Sequence, residues 1–277
     1  TEDYNSGRAV VGTGPFRFAS HRMGDRTEMT RNDAHWGTRQ HWQRVSFRFV
    51  ANDPARSAAL LAGDVDVIDQ IASADLPRLR REGRIAVSEV QGLRVVYLMA
   101  DFSRPGNVPG VTDNDGRPLA QNPFMDVRVR RALNMSIGRD AIAERVMEGQ
   151  ATPNAQWLPA GVYSHNPEVT ARPADLDGAR RLLAEAGFPN GFRLTLHTPN
   201  DRFPNDSRIA QAVAQNWTRI GVQTAVEAQP WATFSTRSAR QEYGMRLTSW
   251  GSVTAEASYM LVNIMQTFDR EKRTGAS

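Results

Sequence analysis

The feature that most constrains the fold is a strand–helix–strand run in the last third of the chain. Residues 192–196 alternate in polarity as a half-buried strand does. Residues 206–220 then repeat apolar side chains every three to four positions, and Gly221 follows as a helix stop. A second strand, 222–227, begins at once. This spacing predicts a right-handed βαβ unit with parallel strands, and hence an α/β fold.

The sequence on either side of this unit continues the alternation of helices and strands. Asp126 is placed to cap one helix, and Asp177 opens another that Gly187 ends. A further helix near 231–241 is followed by a strand near 244–249. The second half of the chain is therefore predicted to form one α/β layer structure.

The first hundred residues are dominated by short strand patterns. Strands are predicted at residues 16–18, 45–49, 65–68, 85–90 and 93–99. One helix is expected in this part, capped by Asp53 before Pro54 and ending at Gly63. Residues 101–123, rich in Pro, Gly, Asn and Asp, interrupt the pattern as a long loop and mark the candidate boundary between two lobes.

Composition excludes several classes of function. The chain has 277 residues, no cysteine and a single lysine, Lys272, so thiolate sites and a lysine-containing phosphate loop are absent from it. Lys and Arg total 34 against 30 Asp and Glu, and the two signs are interspersed. Because no basic stripe with interleaved aromatic residues is present, no nucleic-acid partner is expected. The turn Gly12–Pro15 lacks the third glycine of a dinucleotide fingerprint.

Metal and cofactor patterns are equally sparse. The five histidines are dispersed, and none lies within four residues of another. Asp64, Asp66 and Asp69 are spaced as outward-facing carboxylates around a short strand, and the turn 113–116 lacks the later glutamate of a calcium loop. We therefore expect no metal site and no cofactor.

The candidate ligand residues are polar and aromatic side chains in the loops of the second half. They follow predicted strands, where ligands of α/β sheets usually bind. The set comprises Asn200, Asp201, Arg202, Trp231, Arg237, Trp250 and Tyr259. Trp217 is expected in the core instead, because it lies on the apolar face of its helix.

Several segments resemble, in the same order along the chain, segments of the peptide-binding class of extracellular solute-binding proteins of ATP-binding-cassette importers. Val11–Phe16 is similar to that family's Val-Gly-Thr-Gly-Pro turn, and Ala62–Asp66 to its Ser-Gly-Glu-Val-Asp segment. Asn122–Leu133 and Asp177–Phe188 resemble its two most recognisable stretches. The likeness runs almost end to end.

The resemblance implies a type II periplasmic-binding-protein-like clamshell of two α/β lobes. On this interpretation residues 1–97 form part of the first lobe. Residues 98–277 form most of the second, without its carboxyl-terminal end. The chain would then be an internal piece of a protein about twice as long, and the piece alone would bind its ligand poorly.

The same resemblance transfers some ligand contacts. Peptide-binding relatives carry a Trp-Gly-x-Asp run whose aspartate pairs with the ligand's amino terminus. Here Trp250 and Gly251 keep the pattern, but Val253 stands at the aspartate position. Glu256 is a candidate substitute carboxylate, and Arg237 lies near a family arginine that meets a ligand carboxylate.

The implied function is capture of a peptide or peptide-like solute and its delivery to an inner-membrane permease. The implied location is periplasmic, or extracellular with a lipid anchor outside this chain. Two alternatives remain open. One is a sensory domain that uses the same fold, and the other is a cleft hydrolase using Asp201, His197 and Glu256.

Overall fold

The computed structural model describes residues 2–5, 7, 9–267, 269 and 271. It divides into two compact units, residues 1–71 and residues 72–277. Helices and strands alternate along the larger unit, as expected for an α/β chain. Within the described residues, every helix is too short or too polar to cross a lipid bilayer.

The smaller unit is built on an antiparallel sheet of three strands in the order β1-β2-β3. The strands are β1 (Phe16–Arg22), β2 (Arg26–Arg31) and β3 (Arg44–Arg48), and short helix α1 (Glu2–Asn5) precedes them. The patterns at 16–18 and 45–49 therefore predicted two of the three strands. Strand β2 was missed because Met29 is the only large apolar residue in it, so it shows no hydrophobic alternation.

Helix α2 (Asp53–Ala62) follows the sheet. Its cap is Asn52, whose side chain accepts the backbone N–H of Ala55 at 2.9 Å, so the prediction that Asp53 caps it was wrong by one residue. Gly63 ends the helix with φ 83°, a left-handed conformation that glycine adopts without strain.

Two of the predicted strands do not form. Residues 65–68 and 85–90 lie outside any strand, and Val67 and Val90 are 81% and 92% exposed. An alternating segment becomes a strand only when a neighbouring edge pairs with it. Between these two segments the chain forms a 3₁₀ turn (Ser73–Asp75) and helix α3 (Leu76–Leu79) instead.

The larger unit contains a five-stranded mixed sheet. Its strands are β4 (Arg94–Ala100), β5 (Val111–Thr112), β6 (Arg193–Pro199), β7 (Gln223–Gln229) and β8 (Met245–Gly251). β6 runs parallel to β7 and β8, while β4 is antiparallel to β8 and β5 is antiparallel to the start of β6. Helices α7 (Asp206–Thr218) and α8 (Trp231–Ala239) connect the parallel strands, which confirms the predicted βαβ unit.

The remaining helices are α4 (Val127–Met135), α5 (Arg139–Ala141), α6 (Leu176–Glu185) and α9 (Ala257–Met260). Helical turns Pro123–Met125, Ile142–Val146 and Leu261–Met265 adjoin them. Asp126 caps α4 as predicted, by accepting the N–H of Arg128 at 2.7 Å. Helix α6 is capped by Asp175 rather than Asp177, because the Asp175 carboxylate accepts the N–H of Gly178 at 2.7 Å.

The core of the larger unit lies between its sheet and helices α4, α6 and α7. Trp217 of α7 is 1% exposed and donates its indole N–H to the carbonyl of Leu133 in α4 at 3.0 Å. On β4 and β8, alternate side chains face this core, as Leu98 and Leu247 do. The opposite face carries a smaller apolar cluster around Met99.

The loops that follow β6 and β7 are tied together by two hydrogen bonds. The N–H of Asn200 donates to the carbonyl of Gln229 at 2.9 Å. The N–H of Trp231 at the start of α8 donates to the Asp201 carboxylate at 2.6 Å. The second bond gives a partner to an N–H group at the start of α8 that has none within the helix. Together the two bonds hold the loops against each other.

The lobe boundary proposed after residue 97 falls within β4, which pairs with β8 from Arg94↔Gly251 to Ala100↔Met245. The division between compact units lies earlier, after Ile71. Compact units and lobes of a longer protein are different divisions, so the assignment of 1–97 and 98–277 stays a prediction.

Replacing the core tryptophan tests the packing of α7 on α4. Trp217→Phe removes the bond to Leu133 and leaves a cavity, so the free energy of unfolding should fall by about 2 kcal/mol. Denaturant titration followed by circular dichroism measures this change. Tyr163→Phe is the control because Tyr163 is 90% exposed, and an equal effect of the two substitutions would contradict the packing described.

Removal of the loop-tying carboxylate tests the capping of α8. Asp201→Ala should lower the free energy of unfolding by about 1 kcal/mol, as the loss of a helix cap does. Asp115→Ala removes a carboxylate whose ion pair with Arg117 is exposed, and it should cost only a few tenths of that. Chemical denaturation of both variants checks the difference, and identical stabilities would count against the cap.

Candidate functional site

An open cleft lies at the edge of the larger sheet where the parallel strands β6 and β8 end. β8 pairs with β6 only at Leu196↔Met245 and His197↔Arg246 and then continues along β4 to Gly251. Its last residues therefore extend beyond the end of β6. The cleft has a volume of about 440 Å³ and is lined by Leu93, Arg94, Arg202, Ser249, Trp250, Gly251, Ser252, Val253 and Tyr259.

Four of the predicted ligand residues line this cleft, namely Arg202, Trp250, Gly251 and Tyr259. The other four, Asn200, Asp201, Arg237 and Glu256, lie outside the set of described residues that line it. Asn200 and Asp201 belong to the loop ties described above. The ligand roles of all eight residues stay predictions.

Arg202 is held over an aromatic ring. Its guanidinium carbon lies 4.5 Å from the centroid of the Trp231 ring, and its backbone N–H donates to the Asp206 carboxylate at 3.0 Å. Burial raises the pKa of Asp206, and the hydrogen bond from the Arg202 N–H opposes that rise. The stacking and the backbone bond together orient the Arg202 side chain at the cleft.

Arg94 is a lining residue that the sequence interpretation missed. It is the first residue of β4, and its guanidinium donates to the Ser249 hydroxyl on β8 at 2.9 Å. Burial lowers the pKa of Arg94, and the positive charge of Arg202 lowers it further. A charged residue at the start of the most apolar strand of the first half was the only sequence signal for this position.

The aromatic wall of the cleft is formed by Trp250 and Tyr259, whose ring centroids lie 6.2 Å apart. Both rings pack against the cluster of buried Met99, Met260 and Ile264. The Trp250 indole nitrogen is buried and has no hydrogen-bond partner among the described atoms. The wall therefore has a fixed apolar support beneath it.

A tyrosine behind this wall is also shielded from water. Tyr97 packs edge-to-face on Trp157 with centroids 5.0 Å apart. Burial raises the pKa of Tyr97 to about 12, although the charge of Arg246 opposes the rise. Tyr97 is consequently neutral at physiological pH.

The loop between β8 and α9 carries the position where the family resemblance places an aspartate. Val253 lines the cleft and is 78% exposed. Ala255 has φ 56°, a left-handed conformation that costs a residue with a Cβ about 1 kcal/mol or more. The Glu256 carboxylate accepts a bond from the Ser258 hydroxyl at 3.2 Å.

Arg237 belongs to a separate ion-pair group. Its guanidinium donates to Glu242 and to Glu227, each at 2.9 Å, and lies 5.0 Å from the Tyr243 ring centroid. The hydrogen bond to Glu242, followed by that to Glu227, raises the pKa of Arg237. Its charge is thus already balanced by two carboxylates.

His197 is built into the same group rather than into the cleft. Its ring stacks on Tyr243 with centroids 4.2 Å apart, and its Nε2 lies 3.2 Å from the Glu227 carboxylate. Burial lowers the pKa of His197, although Glu227 opposes the change. Of the three residues of the hydrolase alternative, none is a lining residue in the described part of the chain.

The described residues were searched for side chains that together could bind a metal ion. No group of three or more His, Asp and Glu side chains there is placed to hold a metal ion. The Asp113 carboxylate instead accepts the backbone N–H groups of Asp115 and Arg117, which confirms the turn predicted at 113–116.

Comparison with known proteins gives the context of this site. The heme-binding protein A of Haemophilus influenzae is 30% identical over 246 residues, covering 87% of this chain and 41% of that protein. The dipeptide-binding protein of Escherichia coli is 26% identical over 243 residues, covering 87% of this chain and 42% of that protein. The chain thus spans less than half the length of these two relatives.

Solved structures show the same fold. The ABC transporter-associated periplasmic binding protein DppA from Helicobacter pylori, in complex with the peptide STSA, superposes with a TM-score of 0.71 at 22% identity. The match covers 95% of this chain and 49% of that chain. This confirms the predicted periplasmic-binding-protein-like α/β fold, of which this chain supplies a part.

The sequence pattern of one family extends over nearly the whole chain. Residues 1–271 match the family described as bacterial extracellular solute-binding proteins, family 5, middle part. The two relatives named above are named for binding heme and dipeptides. The chain therefore belongs to the family 5 bacterial extracellular solute-binding proteins.

Proposed function

We propose that this chain supplies part of the solute-binding cleft of an ABC importer. The protein captures a peptide or a related solute outside the inner membrane and delivers it to the membrane permease. Family membership over residues 1–271 supports this role, and so do relatives named for binding dipeptides and heme. A periplasmic location follows from the same role.

The observation that carries the proposal is the cleft beyond the carboxyl ends of β6 and β8. Ligands of α/β sheets bind at such edges, where loops supply the contacts and the sheet holds them rigidly. Here Trp250 and Tyr259 offer apolar rings, and Gly251 leaves the backbone open to approach, since no atom lies within 4 Å of a Cβ built at that position. These are the groups of a binding site that excludes water around its ligand.

The arrangement holds a solute without changing it. A hydrolytic site needs a nucleophile or water-activating base within hydrogen-bond reach of its partner. His197 is stacked on Tyr243, and Asp201 caps α8, so each has a structural partner, and neither is a described lining residue of the cleft. Binding energy then comes from ring contacts and desolvation, with polar groups fixing orientation.

Native mass spectrometry of the full-length protein that contains this chain, purified without refolding, tests the proposed function. A retained solute should appear as a bound mass that is released unchanged on denaturation. Titration with a dipeptide library then ranks candidate solutes by thermal shift. Conversion of an added solute to products would favour the hydrolase alternative, and the absence of both retained solute and any thermal shift would overturn the proposal.

Val253 allows a sharper test of how a peptide is held. Val253→Asp adds a carboxylate to an exposed position of the cleft, so it should tighten binding of a dipeptide amide about two- to fivefold, the usual worth of an exposed ion pair. The amide carries the free amino terminus without a competing carboxylate. Isothermal titration calorimetry measures the affinity.

Two controls isolate the charge. Val253→Asn introduces a side chain of nearly the same size and polarity without a charge, and it should leave the affinity unchanged. The N-acetylated dipeptide amide should gain nothing from Val253→Asp. Unchanged or weaker binding of the free amine would show that position 253 does not contact the amino terminus.

A further inference from the structure

A stack of four aromatic rings runs from the interior of the larger unit to the cleft. His197 of β6 stacks on Tyr243 with centroids 4.2 Å apart, and Tyr243 stacks on Phe234 of α8 at 5.2 Å. Phe234 in turn stacks on Trp231 at 5.8 Å, and the Arg202 guanidinium carbon lies 4.5 Å from the Trp231 centroid. Since Arg202 lines the cleft, the stack joins a buried titratable ring to a side chain of the site.

The carboxylate of Glu227 is shared by two side chains beside this stack. One of its oxygens lies 3.2 Å from Nε2 of His197, and the other accepts a hydrogen bond from Arg237 at 2.9 Å. Glu227 is on β7 and Arg237 is in the last turn of α8, so their ion pair fastens the helix to the sheet. Arg237 has a second carboxylate partner, Glu242, at 2.9 Å.

Charged and titratable groups approach His197 from each element that packs against it. Glu227 is its register partner on β7, and Arg246 is its register partner on β8. Arg237 approaches from α8, and its charge acts on the His197 ring. Tyr243, just before β8, stays neutral because burial raises its pKa. The described neighbours of His197 therefore include two permanent cations and the shared carboxylate.

A proton on His197 would redistribute these contacts. Burial lowers the pKa of His197, and the charge of Glu227 opposes that shift, so the ring is neutral at neutral pH and takes up a proton in acid. The imidazolium then forms a charge-assisted bond with Glu227 and repels the Arg237 guanidinium. Because Arg237 keeps Glu242 as a partner, its bond to Glu227 is the contact that gives way.

We propose that His197, Glu227 and Arg237 form a proton-operated switch that sets the position of α8 and, through the ring stack, of Arg202 at the cleft. At neutral pH Arg237 holds the end of α8 against β7. In acid Glu227 pairs with His197, and α8 shifts about its other end. Closely packed rings move together, so the Trp231 ring shifts with the helix. As regulation of the solute cleft, this inference rests on the proposed function.

The first test compares the titration of the two ends of the stack. The full-length protein that contains this chain is labelled with carbon-13 histidine and fluorotryptophan. Its NMR signals are followed from about pH 8 to about pH 5, the range in which histidine titrates, and are assigned by their loss in His197→Gln and Trp231→Phe. The Trp231 signal should shift with the same midpoint as His197, and His197→Gln should abolish that shift. His165→Gln is the matched control, because His165 contacts the carbonyl of Leu158 instead of a ring of the stack.

Two charge-removing substitutions should move the His197 midpoint in opposite directions. Glu227→Gln removes the carboxylate that stabilises the imidazolium, so the midpoint should move to lower pH. Arg237→Gln removes a nearby cation and leaves Glu227 to His197 alone, so the midpoint should move to higher pH. Both side chains are partly exposed, so neither variant is expected to unfold the protein.

Interrupting the stack should separate its two ends. Phe234→Leu keeps an apolar side chain in the core but removes a ring from the middle of the stack. His197 should then titrate as before, whereas the Trp231 signal should lose most of its shift. Phe188→Leu is the control, since Phe188 packs on Phe192 rather than on a ring of the stack, and it should leave both titrations unchanged.

Three results would each overturn the switch. They are a Trp231 signal that stays constant while His197 titrates, midpoint shifts in the same direction for Glu227→Gln and Arg237→Gln, and a His197 that takes up no proton before acid unfolds the protein. The two glutamine variants decide the case even if Phe234→Leu does not fold. Because these titrations need no added solute, their failure leaves the proposed function standing, whereas failure of the retained-solute test removes the solute but not the coupling.

Discussion

The parallel pairing of β6 is the interaction on which the rest of the larger unit depends. β7 pairs with β6 along its full length, from Arg193↔Gln223 to Pro199↔Gln229, while β5 and β8 share the other edge. Parallel strands require crossover connections, and α7 and α8 supply them while covering the sheet. Because β6 and β8 run in the same direction, their terminal loops meet at one edge.

The cleft at that edge results from the stagger of two strands of equal length, because β8 begins opposite Leu196 in the middle of β6. Among the described strands, β8 leaves β6 after His197↔Arg246 and from there on pairs with β4. This stagger carries Ser249, Trp250 and Gly251 beyond the end of β6, where they line the same cleft as Arg202. The antiparallel start of β4 adds Arg94 to the same place, so residues separated by more than a hundred positions in sequence line one cleft.

Sequence periodicity could predict the parallel unit because its strands and helices each bury an apolar face. Trp217 lies at helical spacing from the other apolar residues of α7 and packs in the core as expected. Sequence periodicity could not predict β2, which has little apolar surface. Nor could it show that residues 65–68 and 85–90 pair with no strand in the described structure. A strand forms only where two segments pair, so alternation within single segments predicts more strands than the fold contains.

The same argument explains which site residues could be found. Trp250 and Gly251 follow a predicted strand and match a family motif, whereas Arg94 lies on a strand whose antiparallel pairing with β8 has no local signal. Arg237 was chosen by proximity in sequence to a family arginine, but folding places it beside Glu227 and Glu242.

Two kinds of arginine can be distinguished by the groups that contact the guanidinium, and sequence position does not show this difference. Where a carboxylate faces the guanidinium, as in the Arg237 group, the arginine stabilises the fold and has little capacity left for a ligand. Where an aromatic ring or a hydroxyl contacts it, as at Arg202 and Arg94, no carboxylate among the described residues forms an ion pair with it. With Val253 at the aspartate position of peptide-binding relatives, the described lining of this cleft carries the charges of Arg94 and Arg202 and no carboxylate.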